Sequence, residues 1–292
     1  MADGLLTLSS PDELRDKCNW GRKHGPVGFV PTMGALHDGH LALVKEARKH
    51  ASFVVASVFV NPTQFGPNDD FSRYPRDIDG DRKKLAAAGC SMLFAPDTTG
   101  MYPEGDQTRV RVGAVAETLE GEFRPGHFEG VATVVTKLFS LVGPCTAVFG
   151  RKDYQQLQVL KRVVKDLFLP VEIIGYKIVR EADGVAMSSR NAYLSPADRE
   201  RARGLSRGLS ASWKIFSRGE KSVAEIREAT LSEVAKVADS IDYVTVSDAD
   251  TLQPLTEKID SRALVSIACR IGKTRLIDNV VLGEDPDPLS AP

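Results

Sequence analysis

The sequence predicts an α/β fold: a Rossmann-like, doubly wound parallel sheet followed by a smaller C-terminal α+β domain. Three observations lead there. Short apolar runs alternate with amphipathic helical patterns from residue 27 to residue 174, the pattern of a parallel sheet covered by helices on both faces. Phe53–Val60 is β-branched and almost continuously apolar, as a strand buried on both faces should be. Beyond residue 195 the order changes to helical stretches followed by three consecutive strand-like runs, which points to a separate α+β unit. A length of 292 residues is also what roughly two domains of about 150 residues require.

The elements follow in order. Val27–Val30 is a short strand. A helix from about Gly39 to His50 carries Leu41, Val44 and Ala47 on one stripe. After the strand at Phe53–Val60, residues 77–89 read as helix and Met92–Phe94 as a strand. Val131–Val142 is helical, Thr146–Phe149 a strand, Asp153–Phe168 a helix and Val171–Ile174 a strand. Ser195-Pro196 opens the next helix, since serine caps well and proline is at ease at the first helical position. Residues 222–239 give another helix, and Tyr243–Ser247, Ala263–Cys269 and Thr274–Leu282 are strands. The Pro-, Asp- and Ser-rich tail from Glu284 to Pro292 should fray. The domain boundary falls near residue 178, giving domains 1–178 and 179–292.

Several function classes drop out. With 38 Lys+Arg against 39 Asp+Glu the formal charge is −1, so no general basic surface invites nucleic acid. No apolar run approaches the roughly 18 residues of a membrane span. The start, Met-Ala-Asp-Gly with its first basic residue at Arg15, is neither a signal peptide nor a transit peptide. Cys18, Cys90, Cys145 and Cys269 are too scattered for a zinc ribbon and fit buried thiols in a reducing compartment. The expectation is a cytoplasmic protein with neither nucleic-acid nor membrane partners.

Five segments carry chemistry. Pro31-Thr-Met-Gly-Ala-Leu-His37-Asp-Gly-His40 follows the first of these strands and opens a helix. A helix N-terminus offers free N–H groups and a positive dipole end to an anion. His37 and His40 add two imidazoles there, and both together favour function over a plain glycine turn. The segment is not GxGxxG, so the dinucleotide fingerprint is absent. Asn61 and Gln64 follow the next strand, at the carboxyl edge where doubly wound sheets bind ligands. Their neutral amides suit hydroxyl or carboxylate recognition, although a polar surface loop explains them equally well. Residues 66–76 form a long loop around Tyr74 that could act as a lid. Arg124-Pro-Gly-His127 reads as a polar turn, with substrate contact an even alternative. Phe149-Gly-Arg-Lys152-Asp153 places a cation where a strand ends and a helix begins. Asp153 could cap that helix, hold a ribose hydroxyl or help place a metal ion, and Gln156 lies one turn on from Lys152. Met187-Ser188-Ser189-Arg190-Asn191 is either an anion clamp in a flexible loop or an interdomain linker.

Taken together and in this order, PTMGALHDGH, VNPTQF, RPGHFEGVATVV, GRKDYQQL and MSSRN resemble the pantothenate synthetase family, the pantoate–β-alanine ligases. The first and last motifs are similar to the H-x-G-H and KMSKS-like segments of the wider nucleotidylyltransferase superfamily. The resemblance runs from Val27 to Leu194. It implies that ATP and Mg²⁺ convert pantoate into pantoyl adenylate and pyrophosphate. The β-alanine amine then displaces AMP to give pantothenate. It also implies an ATP site of Met33, Gly34, Ala35, Leu36, His37, Asp38, Gly39 and His40, with Gly150, Arg151, Lys152, Asp153, Val179, Met187, Ser188, Ser189 and Arg190. His40 would be the proton donor, with His37, Lys152 and Arg190 beside it in catalysis. Gln64 would hold both pantoate and β-alanine, Gln156 pantoate, with Asn61 and Tyr74 in the same substrate region. The first domain would bind ATP and pantoate, the second close over the site, and the protein form a homodimer. The metal ligands are left open. Two positions depart from the family pattern: Asp38 stands for the more usual Glu, and Arg151 occupies a position where many relatives carry Glu or another residue.

The residue types agree with that chemistry. Pantoate's carboxylate is already ionised at neutral pH, so its attack on an α-phosphate needs fixed cations and donors rather than a strong base. No Ser-His-Asp pattern is present. A nucleotidylyltransferase acting on a phosphorylated acceptor is the nearest rival. Neutral Gln64 and Gln156 fit such an acceptor poorly, and a non-catalytic nucleotide sensor would not need both histidines with Lys152 and Arg190.

Overall fold

The computed structural model describes residues 5–67 and 69–290, and the chain divides into two compact units. The first comprises residues up to Arg151 together with Gln156–Lys177, and the second comprises Lys152–Gln155 with the chain from Ile178 onward.

In the first unit the elements are β1 (Leu6–Leu8), α1 (Pro11–Arg22), β2 (Val27–Thr32), α2 (Asp38–His50), β3 (Phe53–Val58), α3 (Ile78–Ala87), β4 (Met92–Phe94), α4 (Thr98–Met101), α5 (Glu120–Phe123), α6 (His127–Val142), β5 (Cys145–Gly150), α7 (Tyr154–Asp166) and β6 (Val171–Tyr176). The six strands are all parallel, in the order β1-β4-β3-β2-β5-β6. Strand β2 lies at the centre, with Phe29 opposite Val55 on one side and Ala147 on the other.

The two faces of the sheet have separate cores, as the two-residue period of a strand requires. Val27, Phe29 and Val55 face Leu14 and Cys18 of α1, Val131, Val135 and Leu138 of α6, and Leu157 and Leu160 of α7. Val30, Val54 and Ala56 face Leu43, Val44 and Ala47 of α2 and Leu85 of α3. Both faces are covered, which is why Phe53–Val58 reads as one continuous apolar run.

Two early elements have no counterpart in the sequence reading: β1 and α1. Helix α1 carries a helix start of the same kind as the later Ser195-Pro196, since Ser10 is its N-cap and Pro11 its first residue. Only Leu14, Cys18 and Gly21 of it are buried, a narrow stripe in a charged stretch that periodicity alone does not bring out. Helix α6 begins at His127, so the segment read as a polar turn before Val131 already contains the first helical turn.

The second unit contains α8 (Pro196–Ser217), α9 (Val223–Val234) and an antiparallel sheet β7 (Ser240–Ser247), β8 (Ala263–Ile271) and β9 (Thr274–Leu282) in that order. Leu205 and Leu209 of α8, Ile226 and Val234 of α9, and Val265 and Ile267 of β8 share its core. The tail differs from the frayed segment expected. Trp213 Nε1 donates to the Asp285 carbonyl at 2.9 Å, and Asp285 Oδ2 accepts from the Val281 amide at 2.8 Å. Those two bonds hold the start of the tail on its own unit; residues 291 and 292 lie outside the described residues.

One helix approaches a loop closely enough to decide a residue. Gly130 of α6 lies against the turn at Pro62–Gln64, where an added Cβ would stand 2.4 Å from the Thr63 carbonyl oxygen and 2.7 Å from Gln64 Cα. Alanine is worth roughly 1 kcal/mol over glycine in a helix interior, but backbone atoms at that distance must shift. Gly130→Ala is expected to destabilise the protein by about 1–3 kcal/mol, read as a lower urea midpoint. A raised midpoint would show that the turn has room to spare.

Candidate active site

The strand order places a topological switch point between β2 and β5. From β2 the chain goes on to β3 on one side, while β5 is its hydrogen-bonded neighbour on the other. Ligands of open parallel sheets bind beyond the carboxyl ends of strands at such a point. The histidine loop leaves β2 there, and Gly150-Arg151 leaves β5. Beside them, Asn61 and Gln64 follow β3.

The histidine loop turns sharply. Gly34 has φ +84° and Ala35 φ +51°, both in the left-handed region. The turn is held from below: Thr32 Oγ1 accepts from the Gly34 amide at 3.2 Å and donates to the Ser57 carbonyl at 2.7 Å. Asp81 of α3, 1% exposed, accepts from the Ala35 amide at 2.9 Å and the Leu36 amide at 2.7 Å. Burial raises the Asp81 pKa above the ordinary carboxylate value, against the pull of those two N–H donors and Lys84. The N–H groups of Ala35 and Leu36 are therefore already engaged. At the start of α2, the amides of Asp38 and Gly39 in the first turn have no intrahelical acceptor.

His37 is the N-cap of α2 and His40 its third residue. The rings lie 4.1 Å apart between centroids. The His37 amide donates to His40 Nδ1 at 3.4 Å. With Nδ1 as acceptor, a neutral His40 carries its proton on Nε2, which makes Nε2 the donor of that ring.

Gln64 is 7% exposed and Asn61 1%. Asn61 Nδ2 donates to Gln64 Oε1 at 3.1 Å and to the Gly130 carbonyl at 3.2 Å. Asn61 Oδ1 accepts from Thr63 Oγ1 at 3.0 Å and Tyr102 OH at 2.8 Å. The amide of Asn61 is thus spent inside the protein, orienting Gln64. Gln64 Nε2 donates to Met33 Sδ at 3.0 Å, which joins the β3 segment to the histidine loop. The Gln64 carbonyl bonds His127 Nδ1 at 2.9 Å and accepts from Arg124 Nη2 at 3.4 Å. Residue types alone did not bring out Thr32, Asp81 and Tyr102, because each acts through a partner distant in sequence.

The loop at 66–76 is a folded segment among its described residues; Asn68 lies outside them. Tyr74 is 5% exposed, its ring edge-on to Phe65 at 5.9 Å, while Phe71 meets Phe65 at 5.3 Å. Asp69 bonds Arg124 Nη2 at 2.8 Å and accepts from the Gly66 amide at 3.1 Å. Burial alone would raise the Asp69 pKa, but the Arg124 guanidinium, the Gly66 amide and the charge of His127 together hold the carboxyl below its ordinary value.

The remaining sequence candidates lie at the end of β5, on α7 and in the second unit. An added Cβ on Gly150 would meet nothing within 4 Å, so a ligand can approach its backbone. The aliphatic stem of Arg151 runs over Gly175, 3.3 Å from where a Cβ there would stand. Gln156 sits in α7, partly exposed. In the second unit the Lys152 carbonyl accepts from Asn279 Nδ2 at 2.8 Å, and Lys152 Nζ is 3.9 Å from Asp153 Oδ1. The Val179–Asn191 segment is a pinned hairpin, so Met187–Asn191 does not sit in the flexible loop expected of it. Met187 N donates to Val179 O at 2.9 Å, and Asn191 Nδ2 donates to Glu181 Oε1 and the Ala186 carbonyl. Arg180 grips the buried Asp278 at 2.7 and 3.0 Å, and Arg199 grips Asp183. On this base Ser188 Oγ accepts from the Arg190 amide at 3.3 Å, opening the turn that contains Ser189.

The family model for pantoate-beta-alanine ligase matches residues 6–281. The chain belongs to that family. It is 51% identical over 264 residues to the pantothenate synthetase of Citrifermentans bemidjiense, covering 90% of this chain and 94% of that one. It is 53% identical over 257 residues to that of Moorella thermoacetica, covering 88% and 90%. The crystal structure of the Thermus thermophilus synthetase aligns with a TM-score of 0.90 at 50% identity, covering 94% of this chain and 99% of that chain. The ligase from Francisella tularensis, complexed with β-γ ATP and β-alanine, aligns at 0.77 with 33% identity, covering 97% and 100%. As a member of the pantoate-beta-alanine ligase family the chain is an enzyme of that class, with the α/β fold its sequence predicts.

The Asp69 latch has a defined pH response. Because the folded pKa lies below the ordinary ~3.9 of an aspartate, its stabilisation is complete above that value and is lost as pH falls through the lowered one. Hydrogen-exchange protection of the Gly66 amide should hold from pH 7 down to pH 5 and fall only in stronger acid. Loss of protection already at pH 6 would contradict the latch.

Proposed function

We propose that this chain joins pantoate to β-alanine in two steps: ATP converts pantoate to pantoyl adenylate with release of pyrophosphate, and the β-alanine amine then displaces AMP. The observation that carries the reading is the junction at the sheet edge, where Gln64 beyond β3 bonds Met33 of the histidine loop beyond β2. A small polar substrate at Gln64 and a nucleotide at the histidine loop would be neighbours there. The β-γ ATP and β-alanine with which the Francisella relative is complexed support the same reading.

A carboxylate cannot be displaced by an amine unaided, because O²⁻ is not a viable leaving group. Adenylation supplies AMP in its place. The attack builds negative charge at the α-phosphate, and preorganised donors aimed at that charge are the largest lever available. His40 contributes Nε2–H, and the first-turn amides of α2 contribute the dipole end. His37, Lys152 and Arg190 are the further cations and donors, with Ser188, Ser189 and Met187 in the same role toward phosphate and Val179 toward adenine. Gln64 binds both small substrates, Asn61 fixes its amide, Gln156 binds pantoate, and buried Tyr74 supports the 66–76 loop.

ATP enters as its magnesium complex. Among the described residues no three His, Cys, Asp or Glu side chains cluster as a metal site. Magnesium in nucleotide sites is commonly held by phosphate oxygens and waters with one or two carboxylates, and Asp153, with its side chain 52% exposed, is one that could serve. The proposal includes a homodimer and a cytoplasmic location. Its four cysteines are free thiols, and no helix among the described residues is long and apolar enough to cross a membrane. Light scattering against the 31.7 kDa of one chain tests the dimer.

The decisive experiment omits one substrate. With ATP, Mg²⁺ and pantoate alone, pyrophosphate should appear, limited to about one equivalent per site if the adenylate stays bound. Oxygen-18 from the pantoate carboxylate should reach AMP once β-alanine is added. ADP in place of AMP, or label retained wholly in pantothenate and water, would overturn the mechanism. ATP binding with no pyrophosphate release would mark a nucleotide sensor instead.

A second outcome concerns His40. If its donor acts mainly in the transition state, His40→Ala should lower kcat by roughly 10²–10³ while ATP binding weakens much less. Near-normal turnover in the folded variant would remove His40 from the chemistry.

A further inference from the structure

The histidine loop contains a feature that the chemistry above does not use. Gly34 and Ala35 both occupy the left-handed region, at φ +84° and +51°. For alanine that conformation is unfavourable by roughly 1–2 kcal/mol, and it persists only where the surroundings impose it. Successive N–H groups beside left-handed residues converge into a concavity that attracts an anion. Here the anion is supplied from within the chain, because Asp81 takes the Ala35 and Leu36 amides at 2.9 and 2.7 Å.

One turn further along the same helix, Lys84 Nζ donates to the Leu36 carbonyl at 2.6 Å. Helix α3 therefore grips Leu36 at both poles, a carboxylate on its N–H and an ammonium on its C=O. The next residue is His37, and α2 starts at Asp38. Space is reserved for the clamp: a Cβ on Gly34 would lie 3.0 Å from Asp81 Oδ2 and 2.9 Å from Val58 Cγ1. Burial excludes water from Asp81, so its loss cannot be repaired by solvent.

We propose that Asp81 and Lys84 are positioning residues for the nucleotide: from α3 they hold the Ala35–Leu36 turn in the one conformation that aims His37, His40 and the α2 N-terminus at the phosphates. Neither side chain needs to touch ATP. Helix α3 is also the element that follows the 66–76 loop, with Asp77 as its N-cap. The clamp thus ties the far end of that loop to the histidine turn, so the two are set together.

This rests on the reading of the histidine loop as the nucleotide site, and the test separates the two. The measurements are KM for ATP and for β-alanine, with ATP affinity by calorimetry, on Asp81→Asn and Lys84→Met. Asp81→Asn keeps the shape but turns an acceptor into a donor facing an N–H. It should raise KM for ATP tenfold or more and leave KM for β-alanine within twofold. Lys84→Met keeps the stem on an exposed helix face and should fold, raising KM for ATP several-fold. A general loss of stability would change both KM values or only the amount of active enzyme, not ATP alone. Unchanged ATP parameters in a folded Asp81→Asn, or in Lys84→Met should Asp81→Asn not fold, would overturn the clamp. If the unmodified protein itself released no pyrophosphate from ATP and pantoate, the nucleotide-site reading would fail instead.

Discussion

The parallel pairing of β2 with both β3 and β5 is the constraint on which the rest of the site depends. Parallel neighbours bring their carboxyl ends to one edge, so the segments after β2, β3 and β5 must begin side by side. The chain leaves β2 toward β3, and β5 on the other flank continues toward β6, which leaves a crevice that no crossover fills. An imidazole pair and a neutral amide pair lie in the segments that leave β2 and β3, and an open glycine backbone ends β5. Their proximity follows from hydrogen-bond register between strands and not from any contact among the side chains themselves.

Rigidity is then built in from behind. Backbone turns that face a ligand cannot spend their outward groups on one another, so their inner groups must be satisfied by the scaffold. Three different devices do this. Asp81 and Lys84 hold the histidine turn, Asn61 with Tyr102 and Thr63 holds the Gln64 side chain, and His127 with Arg124 holds the Gln64 carbonyl. In the second unit a fourth arrangement pins the Val179–Asn191 hairpin through Arg180 on Asp278 and Arg199 on Asp183. Each uses a charge or amide that is itself buried or half-buried, where a hydrogen bond is electrostatically stronger and a missing partner is most costly.

Much of the fold was legible because it rests on local patterns. A β-branched run such as Phe53–Val58 has few alternatives, and the Ser195-Pro196 cap marks its helix start without help from the rest of the chain. Helix α1 was not legible by period, since three buried residues in a charged stretch give a weak signal. The tail departs from its composition for a related reason: Pro, Asp and Ser predict fraying, while the Trp213 indole and the Asp285 carboxylate, set by the antiparallel sheet and α8, hold its start. The Met187–Asn191 loop reads as flexible because its anchors, Glu181, Asp183 and Arg199, make their bonds only once the hairpin has formed.

What the sequence by itself determined is the chemistry on offer and where along the chain it sits: two histidines before a helix, two amides after a strand, a lysine and a serine-arginine turn. Residue type and local spacing suffice for that, because caps, turns and strand periods are decided within a few residues. What only the tertiary structure decided is which of those groups are available to a ligand. Asn61 is an orienting group because Tyr102 and Gly130 use up its amide, and the Ala35 and Leu36 amides are closed to phosphate because Asp81, 46 and 45 residues away, accepts from both. Such pairings join residues far apart in sequence, and no local pattern records them; they exist only once the sheet has set its order and α3 has packed beneath the turn.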